Sequence, residues 1–210
     1  MPQRHQDLDS IGYQLHQLIA FVPSCLGVST QMSESKQKIL PIRIYGDPVL
    51  RQKAEPVKNI DGALVSLAGR MIESLAAARG LGLAAPQVGH SLALCIINLP
   101  ALDPKQTKPL VLINPKLQTS DGQVVYQEGC LSFPGMYADV SRPQNVTVAG
   151  LDQDGNPLEL EASEFLARVF LHEMDHLNGV LFIDHLSPIK RQLIRKQLKE
   201  LSSKAGEKSR

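Results

Sequence analysis

Ser163-Glu164-Phe165-Leu166-Ala167-Arg168-Val169-Phe170-Leu171-His172-Glu173-Met174-Asp175-His176-Leu177-Asn178-Gly179 is the stretch on which the reading of this chain turns. Ser163 is a helix start signal and Gly179 a stop signal, so the stretch predicts one helix from Ser163 to about Leu177. Inside it, His172-Glu173-Met174-Asp175-His176 is an H-E-x-x-H. Residues four apart share a helical face, so both imidazoles can reach one divalent ion. Glu173 projects off that face, within reach of a proton on water at such an ion. A five-residue motif also arises by chance, with both His as solvated polar groups. Phe165 and Val169 lie on the stripe of the two His, which argues for an interior-facing pair.

Two His are two ligands, and a hydrolytic site needs a third protein ligand with one position left open. One zinc-protease pattern supplies a His after H-E-x-x-H-x-x-G-x-x; here Gly179 matches the spacer but Phe182 stands at the ligand position. A second pattern uses a downstream Glu, for which Glu200 offers itself, although Lys196 and Lys199 mark that stretch as a solvated face. The remaining candidate is Cys130 in Glu128-Gly129-Cys130-Leu131-Ser132, because a thiolate is a strong ligand for zinc or ferrous iron. A lone Cys is more often a core residue, a description that fits Cys95, inside an apolar run, better than Cys130. A third segment, Gly80-Leu81-Gly82-Leu83-Ala84-Ala85-Pro86-Gln87, has small residues that let an extended peptide lie against the backbone. It lacks the Lys-Ser/Thr ending of a phosphate loop and the third Gly of a dinucleotide fingerprint.

The three segments, in this order, resemble the peptide deformylase family, whose motifs are Gly-apolar-Gly-apolar-Ala-Ala-x-Gln, Glu-Gly-Cys-Leu-Ser and His-Glu-x-Asp-His. The similarity covers about Ile39 to Leu201, and the C-terminal helix resembles the bacterial and organellar type 1 members. It implies an α+β fold of small antiparallel or mixed sheets around a central H-E-x-x-H helix. It implies hydrolysis of the formyl group from the formyl-methionine of nascent polypeptides, with release of formate. By motif match, Cys130, His172 and His176 bind one divalent metal ion, Fe2+ in the cell, with Zn2+, Ni2+ or Co2+ able to substitute. Glu173 carries the proton, while Gln87 and the Leu131 N–H steady the oxyanion and Gly82 pairs with the substrate backbone. For the methionine side chain, Val169, Phe165 and Tyr126 are the expected pocket walls. Glu128 is expected behind the Cys loop or a ligand His, and the Arg168 head is expected in solvent with its stem packed. Some family members carry Arg where Tyr137 stands.

Composition bounds the rest. The 210 residues are 43% hydrophobic and 20% charged, enough for a sizeable core. Lys+Arg 22 against Asp+Glu 21 leaves no electrostatic footprint for sequence-specific nucleic-acid binding or an anionic membrane. Aromatics at 4% without Trp supply no base-stacking platform. Three Cys make no disulfide framework and favour a reducing compartment, the bacterial cytoplasm, or an organelle where the N-terminal extension is cleaved. Residues 1–36 read as a poorly ordered extension with Met32 as an alternative start, 37–203 as one catalytic domain, and 204–210 as a polar tail. Ile11–Val28 is broken by Gln14, His16 and Gln17 and predicts no spanning helix.

Asp61 caps a predicted helix with Leu64, Leu67, Met71 and Leu75 on one stripe and Gly80 at its end. Strands are predicted at Leu92–Asn98, Leu110–Asn114, Val124–Tyr126, Val146–Leu151 and Leu158–Leu160, and Ile42–Tyr45 as a short extended piece. Ile189–Leu201 predicts a last helix, whose Lys190, Arg191, Arg195, Lys196 and Lys199 offer a contact for the ribosome.

Overall fold

The computed structural model describes residues 39–208; the expected extension 1–36, with Met32, lies outside the described residues. Helix α1, Gly62–Ala77, begins where the Asp61 side chain accepts the Leu64 N–H, and it buries the predicted stripe. Its exit departs from the expectation. Arg79, not Gly80, takes the left-handed conformation, at φ +52°. Gly80 is small for another reason, since a Cβ there would meet Leu75 Cδ1 at 2.6 Å and Leu131 Cδ1 at 2.9 Å.

Strands β1 (Gly82–Ala84), β2 (Leu94–Ile97), β3 (Leu110–Asp121), β6 (Asn145–Leu151) and β7 (Pro157–Ser163) form one sheet in the order β1-β2-β3-β6-β7. Strands β4 (Val124–Gly129) and β5 (Tyr137–Arg142) form a second sheet. All these pairings are antiparallel; the parallel bridge between Glu55 and Leu92 stands apart from the named strands. A single short turn, α2 (Leu99–Leu102), follows β2, and the Asp154-Gly155 hairpin joins β6 to β7 with Gly155 at φ +85°.

The four residues of β2 are all buried, as both faces of the larger sheet are covered. Leu94 and Ile96 point into a core shared with α1, Cys95 and Ile97 into a core shared with α3 (Glu164–Leu177). Helix α3 follows Ser163, whose side chain makes no capping bond, and ends in paired 5→2 and 6→1 bonds, Gly179 N–H to His176 C=O and Val180 N–H to Asp175 C=O. Its opposite face meets β4 and β5, so the helix lies between the two sheets. A third core, built on Phe133, Phe182, Val140 and Leu198, ties the smaller sheet to the C-terminal helices.

Ile42–Tyr45 joins no sheet but stays extended, donating from Arg43 N–H to Gln87 C=O and from Tyr45 N–H to Ser132 C=O. It holds the Gln87 turn and the Cys130 loop together from behind. The predicted helix Ile189–Leu201 is two, α4 (Pro188–Leu193) and α5 (Arg195–Lys208), broken at Ile194. The break lets Leu198 reach the Phe133 core while Leu193 stays 78% exposed. Helix α5 continues through Lys208, so residues 204–208 of the expected polar tail are helical. Among the described residues no helix is long and apolar enough to cross a membrane.

Candidate active site

Three elements converge on one cavity of about 660 Å3: β1 with the turn after it, the loop leaving β4, and α3. Cys130 from the loop and His172 and His176 from α3 bring their ligand atoms within 4.8 Å of one another. Cys130 Sγ lies 3.2 Å from His176 Nε2, and the two imidazole rings are 5.0 Å apart at 78°. Burial, the charge of His172 and that of Arg142 hold the His176 imidazole well below its ordinary range, leaving a neutral ring with a lone pair to offer. Two soft-to-borderline imidazoles and a thiolate converging on one point are a donor set that fits a divalent transition metal.

Gln87 is fixed by its own turn. Its Oε1 accepts the Ala84 N–H at 2.8 Å, which aims Nε2 at Cys130 Sγ (3.4 Å) and Ser132 Oγ (3.3 Å). Glu173 is 3% exposed, and its Oε2 has no hydrogen-bond partner. Burial pushes its carboxyl up to about 7, against the lowering pull of His172 and Arg142. Gly82 makes room for it, since a Cβ at Gly82 would stand 2.3 Å from Glu173 Oε1. Leu131, Val169 and Phe165 line the same cavity.

Glu128 lies behind the imidazole of His172, with Oε2 3.0 Å from Nδ1. Burial alone would raise its carboxyl, but hydrogen bonds from Arg142 and His172 outweigh that and hold it at about 2. Arg142 grips it at 2.5 and 2.9 Å and reaches on to Asp175 at 2.7 Å, which in turn meets His185 Nε2 at 2.7 Å.

Two expectations are corrected. The Arg168 guanidinium does not reach solvent: the residue is 3% exposed, bonded to Glu128 Oε1, to Val140 C=O at 3.0 Å and to Val124 C=O at 2.9 Å. Glu128 and two strand carbonyls offer it a buried charge partner and acceptors, the arrangement that permits a buried guanidinium. Tyr126 is not among the cavity-lining residues; it lies under Arg168, 5.2 Å from ring centroid to guanidinium carbon, with its hydroxyl on Glu164. Tyr137 does line the cavity, and its ring fills the space that Gly129 leaves open. Glu200 is exposed on α5 and is not a cavity residue. Sequence reasoning assigned nothing to Arg142, Asp175 and His185; the Asp inside H-E-x-D-H was the one signal available for them.

A sequence model of the polypeptide deformylase family matches residues 39–192. The chain belongs to the peptide deformylase family. The deformylase of Endomicrobium trichonymphae is 44% identical over 168 residues, covering 80% of this chain and 98% of the relative. The deformylase structure of Thermus thermophilus superposes with a TM-score of 0.73 at 39% identity, covering 80% and 99%. That of Synechococcus elongatus, solved in complex with actinonin, gives 0.69 at 46% identity, covering 80% and 88%. As a deformylase the chain is a metal-dependent hydrolase that removes the formyl group from nascent peptides.

Proposed function

We propose the following roles for the residues of this deformylase site. Cys130, His172 and His176 hold one divalent ion, ferrous iron in the cell, with zinc, nickel or cobalt able to replace it. Such an ion, when bound, lowers the pKa of water and polarises a carbonyl oxygen. Glu173 takes the proton of the attacking water; as the C–N bond breaks, it passes that proton to the leaving amine, and formate departs. Gln87 Nε2 and the Leu131 N–H stabilise the negative charge developing on the formyl oxygen. Glu128 positions His172 through Nδ1, and Arg142 and Arg168 position Glu128. Val169 and Phe165 wall the methionine pocket.

Gly82 pairs with the substrate backbone. Leu81 C=O accepts from Asn98 and therefore faces β2, so alternation along the strand turns the Gly82 N–H and C=O outward to the free edge of β1. The observation that carries the reading is the buried, unpartnered Glu173 Oε2, on a residue lining the same cavity as Cys130 and His172.

The test is formate release from formyl-Met-Ala-Ser by protein purified anaerobically with ferrous iron or nickel, beside Glu173→Ala. Rapid release in the parent and a fall of roughly 100- to 10,000-fold in Glu173→Ala are expected. Absence of release with one metal bound per chain would overturn the reading.

The catalytic unit is assigned to residues 37–203 and the location to the bacterial cytoplasm, or an organelle where residues 1–36 are cleaved; bacterial relatives at 44% and 45% identity support a bacterial setting. A ribosome contact is proposed for the basic C-terminal helices, because Arg191, Arg195 and Lys199 line one depression beside Tyr45. Neutralising Lys190, Arg191, Arg195, Lys196 and Lys199 should reduce co-sedimentation with ribosomes; unchanged co-sedimentation would remove this assignment.

A further inference from the structure

Arg79 stands where α1 gives way to β1, exposed at the wall of the active-site cavity. Its backbone occupies the left-handed region that glycine adopts freely and a long side chain does not, although Gly80 is its neighbour. A residue kept in that conformation points to a use for its side chain. Among the described residues Arg79 has no ion pair and no side-chain hydrogen bond, while the deeper charges Glu128 and Asp175 are paired with Arg142 and Arg168. The residues of the loop after Cys130 that line the cavity, Pro134, Met136 and Tyr137 among them, carry no charge to answer it.

The direction of the substrate follows from the site. Gln87 and Cys130 mark the reacting end, and Gly82 offers its backbone to an extended chain. The residues after formyl-methionine therefore leave along β1 towards Gly80 and Arg79. An extended peptide advances about 3.3 Å per residue, so the next two side chains pass within the span of an arginine three positions from Gly82. We propose that Arg79 is a specificity-determining residue that favours N-formylmethionyl peptides carrying Asp or Glu at the second or third position. This rests on the deformylase reading of the site.

The experiment compares kcat/KM of the metal-loaded enzyme for formyl-Met-Asp-Ala and formyl-Met-Ala-Asp against their Lys counterparts, with formyl-Met-Ala-Ser as the neutral reference. An acidic-to-basic ratio of about two to five is expected at low salt for one position, the range of an exposed ion pair. The ratio should shrink towards one at about 0.5 M salt. In Arg79→Gly, which tolerates the left-handed backbone, it should be one, and in Arg79→Glu it should invert. A ratio of one in the parent, or an unchanged ratio in Arg79→Gly, overturns the assignment while turnover of the neutral peptide keeps the deformylase reading intact. No formate from any peptide, the neutral one included, overturns both.

Discussion

Gly82 leaves the space that the Glu173 carboxylate occupies, and the two residues constrain each other although 91 positions separate them. Gly82→Ala would put a methyl group 2.3 Å from Glu173 Oε1, and the carboxylate would have to move. A displacement near 1 Å at a reacting group costs about 100-fold in rate. The expected outcome is therefore a fall of that order in kcat/KM for formyl-Met-Ala-Ser, with metal content unchanged at one per chain. Activity within threefold of the parent would refute the constraint. At this scale the sequence was most legible where chemistry restricts residue type: His172, His176, Cys130 and Glu173 could be named because few other side chains bind a metal or exchange its protons. Arg168 was misread because charge alone predicts solvent, and nothing local announced that Glu128, 40 positions away, would be its partner.

Among the elements, α1 and α3 were readable from apolar spacing and caps, because a helix buries one stripe and its signals are local. Strands β1 and β5 were not. Gly82–Ala84 is too short and too small to show alternation, and in Tyr137–Arg142 the inward positions are Ala138, Val140 and the charged Arg142, so the buried face does not read as apolar. Their strand identity comes from partners: β2 for the one, β4 for the other. The break at Ile194 was hidden for a similar reason, since Leu193 and Leu198 look alike in sequence while only Leu198 finds a core. The end of α3 carries a sharper constraint. Gly179 has φ +70°, and a Cβ there would meet Arg51 C=O oxygen at 2.6 Å, backbone that cannot swing away. Gly179→Ala should lower unfolding free energy by more than about 1 kcal/mol, measured by urea denaturation. A smaller loss would mean that the Arg51 segment relaxes.

Across the whole molecule, charge is balanced outside and inside. The formal net charge is +1, and the buried cluster sets Glu128 and Asp175 against Arg142 and Arg168. Its balance makes stability depend on pH in a definite direction. Glu128 is held at about 2 in the fold against 4.5 for an ordinary glutamate, so its stabilising contribution is complete above about 4.5 and is lost as pH falls towards 2. The thermal midpoint should drop over that window. Glu128→Gln should start lower at pH 6 and show a flatter dependence below pH 4.5. Parallel curves for the two proteins would assign acid sensitivity to other groups. The three-motif order made the fold class legible from sequence, but this cluster joins β4, β5, α3 and the turn at His185, and no linear pattern encodes such a meeting.

The free edge of β1 has a consequence beyond substrate binding. Any unpaired strand edge is a template on which another copy of the sheet can grow, and proteins guard against it. Here the edge is three residues long and opens into a cleft whose walls include Phe165 and Tyr137. A neighbouring sheet would have to bring its whole rim past those walls, while one extended chain brings only its own width. At the far side of the sheet, β7 begins with Pro157 and carries Glu159 and Glu161. The geometry that admits a nascent peptide thus also keeps neighbouring copies from stacking edge to edge into fibres.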